Sequence, residues 1–134
     1  MFFAPTILSL LAQQCKVSVL CVSTGNFHGK GNIRRQEMFD ACESMGIPKS
    51  DVTVMDLDDM QDGKANKWEV ERLANIILQH VKDLKLDVIV TFDENGISYH
   101  PNHIACFNAV RYLYTNGWIP SSIQEQDEYC ITSK

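Results

Sequence analysis

The sequence predicts an α/β fold, a parallel sheet with flanking helices assembled from βαβ units. Three observations carry the prediction. Short apolar and β-branched runs at residues 16–23, 51–57 and 88–90 alternate with longer stretches of helical period. The runs are almost continuously apolar, the composition of parallel strands covered on both faces. Each run ends in a polar loop, and strand ends of this kind are where α/β proteins gather functional side chains.

The chain has 134 residues, 45% hydrophobic and 22% charged, which fits one globular domain with a sizeable core. Its formal net charge of −5 argues against a general nucleic-acid binder, which needs a basic face. The five cysteines, Cys15, Cys21, Cys42, Cys106 and Cys130, form no CxxC pair. They read as small buried residues of a reducing compartment, with neither a disulfide framework nor a zinc knuckle. No internal repeat or low-complexity segment is present.

Residues 1–12 (MFFAPTILSLLA) are apolar but carry no positively charged leader region, and they are shorter than the ~20 residues of a membrane span. They predict a core helix over residues 5–13, with Pro5 in its first turn. The strand expected at residues 16–23 (KVSVLCVS) leads into a glycine-rich loop, TGNFHGKG at residues 24–31. That loop lacks a GxGxxG register and a GK[ST] end, so a flexible connection is favoured over a phosphate loop. A helix is expected over residues 32–45, with Met38, Ala41, Cys42 and Met45 as its buried stripe, Gly46 as its stop and Pro48 as a break. Arg34 and Glu37 stand at i and i+3 on this helix. They read either as an exposed ion pair or as a guanidinium held beside a pocket for an anionic or hydroxyl-rich ligand.

After the strand at 51–57, the carboxylates Asp58, Asp59 and Asp62 raise the question of a cation. The spacing is not that of an EF-hand, and an acidic solvated loop is expected. The helix expected over residues 66–84 carries an apolar stripe of Val70, Leu73, Ala74, Ile77 and Val81. His80 lies off that stripe and is expected at a surface or interface. The chain is organised around residues 88–103, VIVTFDENGISYHPNH. Here a buried strand stops, Asp93 stands at its end, Gly96 allows a turn, and His100 and His103 fall on one side of a new helix's first turn. Imidazole is the commonest ligand for transition metals. Two histidines are nevertheless one short of the three protein ligands of a hydrolytic zinc site, and a structural histidine pair stays open on spacing alone. Beyond Gly117 the periodicity dissolves, so residues 1–117 form the expected domain and 118–134 a loose tail.

The combination is more specific than its parts. TGN at a strand end, RxxE opening a helix that closes in Met-Gly-Ile-Pro, and VIVTFDxxGxxxHxxH together resemble the PIG-L/LmbE-like family of de-N-acetylases over nearly all of residues 1–117. The resemblance implies a Rossmann-like fold and metal-dependent hydrolysis, usually with zinc, of an acetamide on glucosamine. For the eukaryotic branch it implies the glycolipid N-acetylglucosaminyl-phosphatidylinositol as substrate, in GPI-anchor synthesis at the cytosolic face of the endoplasmic reticulum membrane. By position, His103 would be a metal ligand. His100 would stabilise the oxyanion and help protonate the leaving amine, and Arg34 would grip substrate. Asp93 and Asn102 would support the histidines, Asn102 standing where many bacterial relatives have an aspartate.

The family's other signature, AHPDDE, supplies two further ligands and a general base, and this sequence begins where that motif would end. The chain is therefore expected to lack the first strand of the sheet, those groups, and the membrane segment that precedes them in eukaryotic relatives. Alone it is expected to be inactive. An alternative reading makes it a non-catalytic truncated isoform acting as an interaction module. A small nucleotide-binding domain that uses the glycine loop is the weakest alternative.

Overall fold

Pro5 occupies the first turn of helix α1 (Ala4–Ala12) in the computed structural model, where its missing N–H costs nothing. The structure describes residues 2–119 and the backbone of two further segments, Ile123–Gln126 and Cys130–Ser133. The chain divides into two units, residues 1–62 and 63–134.

In the first unit, strand β1 (Val19–Cys21) pairs in parallel with β2 (Val52–Val54), in the register Val19 to Val52, Leu20 to Thr53 and Cys21 to Val54. Helix α2 (Gly31–Met45) connects them, as the βαβ reading requires. Its C-terminus is closed by Gly46 at φ +96°, and the Ile47 amide donates back to the Cys42 carbonyl at 2.9 Å. That closure turns Ile47 inward to 1% exposure, beside the fully buried Cys42. With Ile7, Val52 and Val54 they form the unit's core, onto which Met38, Met45 and Phe39 pack. Met38, Cys42 and Met45 of the predicted stripe are thus packed, while the core takes Phe39 and does not include Ala41. Both strands are shorter than expected, because apolar composition runs past the three residues that find a ladder partner.

In the second unit, helix α3 (Val70–Leu84) buries Leu73, Ala74, Ile77 and Leu78. It starts four residues later than expected. Residues before Val70 offer no periodic apolar face, and the Asn66 amide is committed to the Gly63 carbonyl in a turn. His80 is half-buried on this helix. Strand β3 (Val88–Val90) leads to a short distorted turn, α4 (Gly96–Tyr99), and then to α5 (Pro101–Thr115). Ala105, Ala109, Val110 and Leu113 of α5 are buried, and α5 packs on α3. Within this unit β3 pairs antiparallel with β5 (Cys130–Ser133), which pairs antiparallel with β4 (Ile123–Gln126). A parallel ladder was the expectation for residues 88–90, and nothing in the polar composition after Gly117 signals this return pairing. The expected loose tail at 118–134 otherwise lies largely outside the described residues. Among those described, no helix is long and apolar enough to cross a membrane.

Candidate active site

The site is built where β3 ends. Buried Thr91 and then Phe92 carry the chain off the strand, and Asp93 shapes the loop beyond them. One Asp93 carboxylate oxygen, Oδ1, accepts from the Asn95 amide at 3.1 Å and the Ile97 amide at 3.0 Å. The Asp93 carbonyl accepts from the Gly96 amide at 3.0 Å. A short carboxylate folding the loop over itself is the usual Asx device. Asp93 therefore acts here by holding the loop.

Gly96 is required twice over. Its φ is +57°, and a Cβ there would stand 2.8 Å from the His103 Cβ and 3.0 Å from the Ile104 amide nitrogen. After it, Ile97 and Tyr99 also adopt left-handed backbone, at φ +63° and +58°. A β-branched residue there is an outlier, at a cost of ~1–3 kcal/mol that the surroundings must offset. The Asp93 bond to Ile97 and a 2.8 Å bond from the Tyr99 amide to the Asn95 carbonyl hold the turn.

That turn delivers His100 in an extended conformation as the N-cap of α5, with Pro101 next in the first turn. The His100 Nδ1 accepts from the main-chain amide of Asn102 at 3.3 Å, a cap role more often given to Ser or Asp. An amide can only donate, so Nδ1 holds a lone pair and the neutral ring carries its proton on Nε2. The contact that orients His100 comes from the Asn102 backbone, while the residue itself is 4% exposed.

His103, one turn on, has the opposite arrangement. Its Nδ1 lies 3.1 Å from the Gly96 carbonyl, which can only accept. Nδ1 therefore carries the proton and the lone pair falls on Nε2, the tautomer in which a metal-ligating histidine is held by a carbonyl partner. Phe92 fixes the ring plane, stacked at 4.0 Å between centroids and 5° between planes. The two imidazoles are neighbours, 4.9 Å apart and tilted by 36°. The structure thus brings together His100, His103, Asp93 and Asn102 of the second unit. The roles of Phe92 and the Gly96 carbonyl were not read from the sequence. Gly96 in DxxGxxxHxxH was the available signal, pointing to close packing but not to an acceptor.

Arg34 belongs to the first unit. Its Nη1 donates to the Gly25 carbonyl at 3.1 Å, fastening the exposed guanidinium to the glycine loop. Gly25, at φ +68°, permits the approach, since a Cβ there would lie 2.9 Å from that nitrogen. Asn26 Oδ1 accepts from the Gly31 amide at 2.8 Å and so caps the start of α2.

Among the described residues no three His, Cys, Asp or Glu groups converge on a point that could hold a metal ion. One prepared imidazole falls short of the three protein ligands of a zinc hydrolase, so the described residues do not by themselves build a zinc site. Asp58 and Asp59 are exposed, as expected of a solvated loop. Cys15, Cys21, Cys42 and Cys106 are free thiols, but of these only Cys42 is buried as expected: Cys21 and Cys106 are half-buried, and Cys15 is exposed just past the end of α1. Burial pushes the Cys21 and Cys42 thiols above their ordinary value, which marks them as packing residues.

The family model described as PIG-L: GlcNAc-PI de-N-acetylase matches residues 1–114. The N-acetylglucosaminyl-phosphatidylinositol de-N-acetylase of Bos taurus is 42% identical over 120 residues, covering 90% of this chain and 47% of the relative. A probable enzyme of the same name from Dictyostelium discoideum is 38% identical, covering 87% of this chain and 45% of its own. Another from Schizosaccharomyces pombe is 42% identical, covering 80% and 44%. The chain spans about half the length of the curated relatives it matches. No solved structure matches it.

Proposed function

Because the chain belongs to the PIG-L: GlcNAc-PI de-N-acetylase family, we propose that it takes part in hydrolytic de-N-acetylation of N-acetylglucosaminyl-phosphatidylinositol, a step of GPI-anchor biosynthesis at the endoplasmic reticulum membrane. The observation that carries this is the asymmetry of the histidine pair, with an N–H on Nε2 of His100 and a lone pair on Nε2 of His103. Attack of water on the acetamide carbonyl creates an oxyanion, and the His100 Nε2–H is a donor for it, a role commonly worth ~10²–10³ in rate. Breaking the C–N bond then yields acetate and the free glucosamine amine. To supply that amine with a proton, His100 must first release the Asn102 amide and take up a proton on Nδ1. His103 is a candidate for one ligand of a divalent metal, zinc by family habit, while Asp93 and Asn102 position the two rings. Arg34 is a donor for the phosphate or sugar hydroxyls.

The test is binding of N-acetylglucosaminyl-phosphatidylinositol in detergent micelles to the purified chain. Arg34→Ala is expected to weaken binding at least about tenfold, the loss of one charge-assisted pair, while Arg35→Ala leaves it unchanged. Absence of binding, or equal binding by both variants, refutes the assignment. That His103 is the one prepared ligand among the described residues favours a second reading, a non-catalytic interaction module. Acetate release by the purified chain above a His103→Ala control would exclude that reading.

A further inference from the structure

Phe27 is 65% exposed and Ile33 is 60% exposed, although both belong to a tightly tied segment. Asn26 caps the Gly31 amide, and the Gly29 amide closes on the Asn26 carbonyl at 2.9 Å. Gly31 leaves no room for a Cβ against Thr24 and Asn26, and Arg34 is fastened to Gly25. Phe27 is further braced edge-on against the His28 ring, at 4.9 Å. A loop held this firmly exposes its apolar side chains by construction. Cations accompany them: Lys30 and Arg34 stand beside them, and the exposed Glu37 one turn after Ile33 leaves residues 24–37 with three cations, Arg35 included, against one carboxylate, in a chain whose net charge is −5. Lys30, Ile33 and Arg34 stand at i, i+3 and i+4 at the start of α2 and share a side. Arg35 points elsewhere around the helix.

We propose that the tip formed by Phe27, Lys30 and Ile33 is an interfacial docking element that seats the first unit on an anionic lipid bilayer. Apolar side chains ringed by Lys and Arg are the composition that enters the headgroup boundary of such surfaces. In an overall acidic chain, Lys30 and Arg34 beside the exposed Phe27 and Ile33 make this stretch complementary to an anionic surface. The proposed occupant is the anionic bilayer surface. The inference is independent of the proposed activity, since the test uses vesicles free of N-acetylglucosaminyl-phosphatidylinositol.

The experiment is co-sedimentation of the purified chain with phosphatidylcholine vesicles that contain or lack phosphatidylserine. The expected result is partitioning onto the serine-lipid vesicles that falls with added salt. Phe27→Ser with Ile33→Ser should abolish it, with far-ultraviolet circular dichroism confirming the fold. Lys30→Glu should weaken it by more than the roughly fivefold of one neutralised cation, and Arg35→Glu by distinctly less. Several outcomes would overturn the proposal: no binding to anionic vesicles, binding indifferent to the Phe27 and Ile33 changes, or equal losses from Lys30→Glu and Arg35→Glu. Self-association through the same residues without vesicle binding would assign the patch to a second copy of the chain, and would overturn it too.

Discussion

Replacing Gly96 with alanine tests the geometry on which the histidine assignment rests, and Gly117 provides the matched comparison. Both glycines lie in the second unit with left-handed backbone, at φ +57° and +69°. At Gly117 a new Cβ meets nothing within 4 Å. Gly117→Ala therefore isolates the backbone penalty of an L-residue in this region, about 1 kcal/mol. At Gly96 the same penalty applies, and the Cβ also lands 2.8 Å from the His103 Cβ and 3.0 Å from the Ile104 amide nitrogen. Neither atom is the far end of a flexible side chain, so α5 and the turn must separate. Overpacking of this kind costs ~1–3 kcal/mol, and stretching the Gly96–His103 hydrogen bond adds about 1. Gly96→Ala should therefore be about 2–4 kcal/mol more destabilising than Gly117→Ala. With a urea slope of about 1.5 kcal/mol per M, its unfolding midpoint falls roughly 1.3–2.7 M lower. Long-range proton–nitrogen correlation spectra of the imidazoles give a second readout. The His103 Nδ1–H pattern should disappear in Gly96→Ala and persist in Gly117→Ala. Equal midpoints for the two variants, or an unchanged His103 pattern in Gly96→Ala, would refute the packing argument.

Asp93→Ala removes the acceptor of two loop amides and should cost ~1–3 kcal/mol in urea unfolding, whereas Asp93→Asn, which keeps an acceptor oxygen, should cost less than half as much. His103→Ala should abolish whatever zinc affinity the purified chain shows by calorimetry, while His80→Ala should leave it intact. The Cys21 and Cys42 thiols are raised by burial above their ordinary value of 9.0, Cys42 also by its proximity to Cys21. Their contribution to stability is thus fully present below about pH 9. It is lost as pH rises beyond that, because the unfolded thiols ionise first and shed protons the folded state retains. Stability measured from pH 8 to 10.5 should fall, and Cys42→Ala should flatten that fall. Thiol-labelling at pH 8 should modify the exposed Cys15 first.

Helix α2 was legible because three signals agree, an apolar stripe through Cys42, a left-handed glycine stop at Gly46 and Pro48 beyond it. Helix α3 was legible from its stripe, although the series named Val81, which is half-buried, and passed over Leu78, which at i+8 from Val70 packs inward beside Ile77. Strand lengths were not legible, since a strand ends where its partner ends and composition does not reveal partners. At the site, the HxxH spacing placed both imidazoles on the first turn of α5, as the structure has them. Their environments were hidden because the decisive groups are main-chain. A carbonyl at Gly96 and an amide at Asn102 are present at almost every position of any chain, and only folding decides which side chain meets them. The left-handed turns at Ile97 and Tyr99 were hidden for a related reason, as neither residue favours that conformation and the Asp93-held loop imposes it.

Spacing alone makes His100 and His103 equivalent, and the backbone removes that equivalence. At the entrance to α5 the helix still has unsatisfied amides, so a ring at the N-cap position is met by a donor and keeps its proton on Nε2. One turn later the helix amides are satisfied by its own carbonyls, and the ring at 103 instead meets the carbonyl of the preceding loop. The first histidine thereby becomes a hydrogen-bond donor through Nε2 and the second a lone-pair donor through Nε2. Exchanging their roles would require Gly96 to present an amide where it presents a carbonyl, which its bond to Asp93 and its contact with His103 prevent. The proposed de-N-acetylation would use this division, since an acyl-transfer site must stabilise a developing oxyanion and hold an electrophile within one small volume.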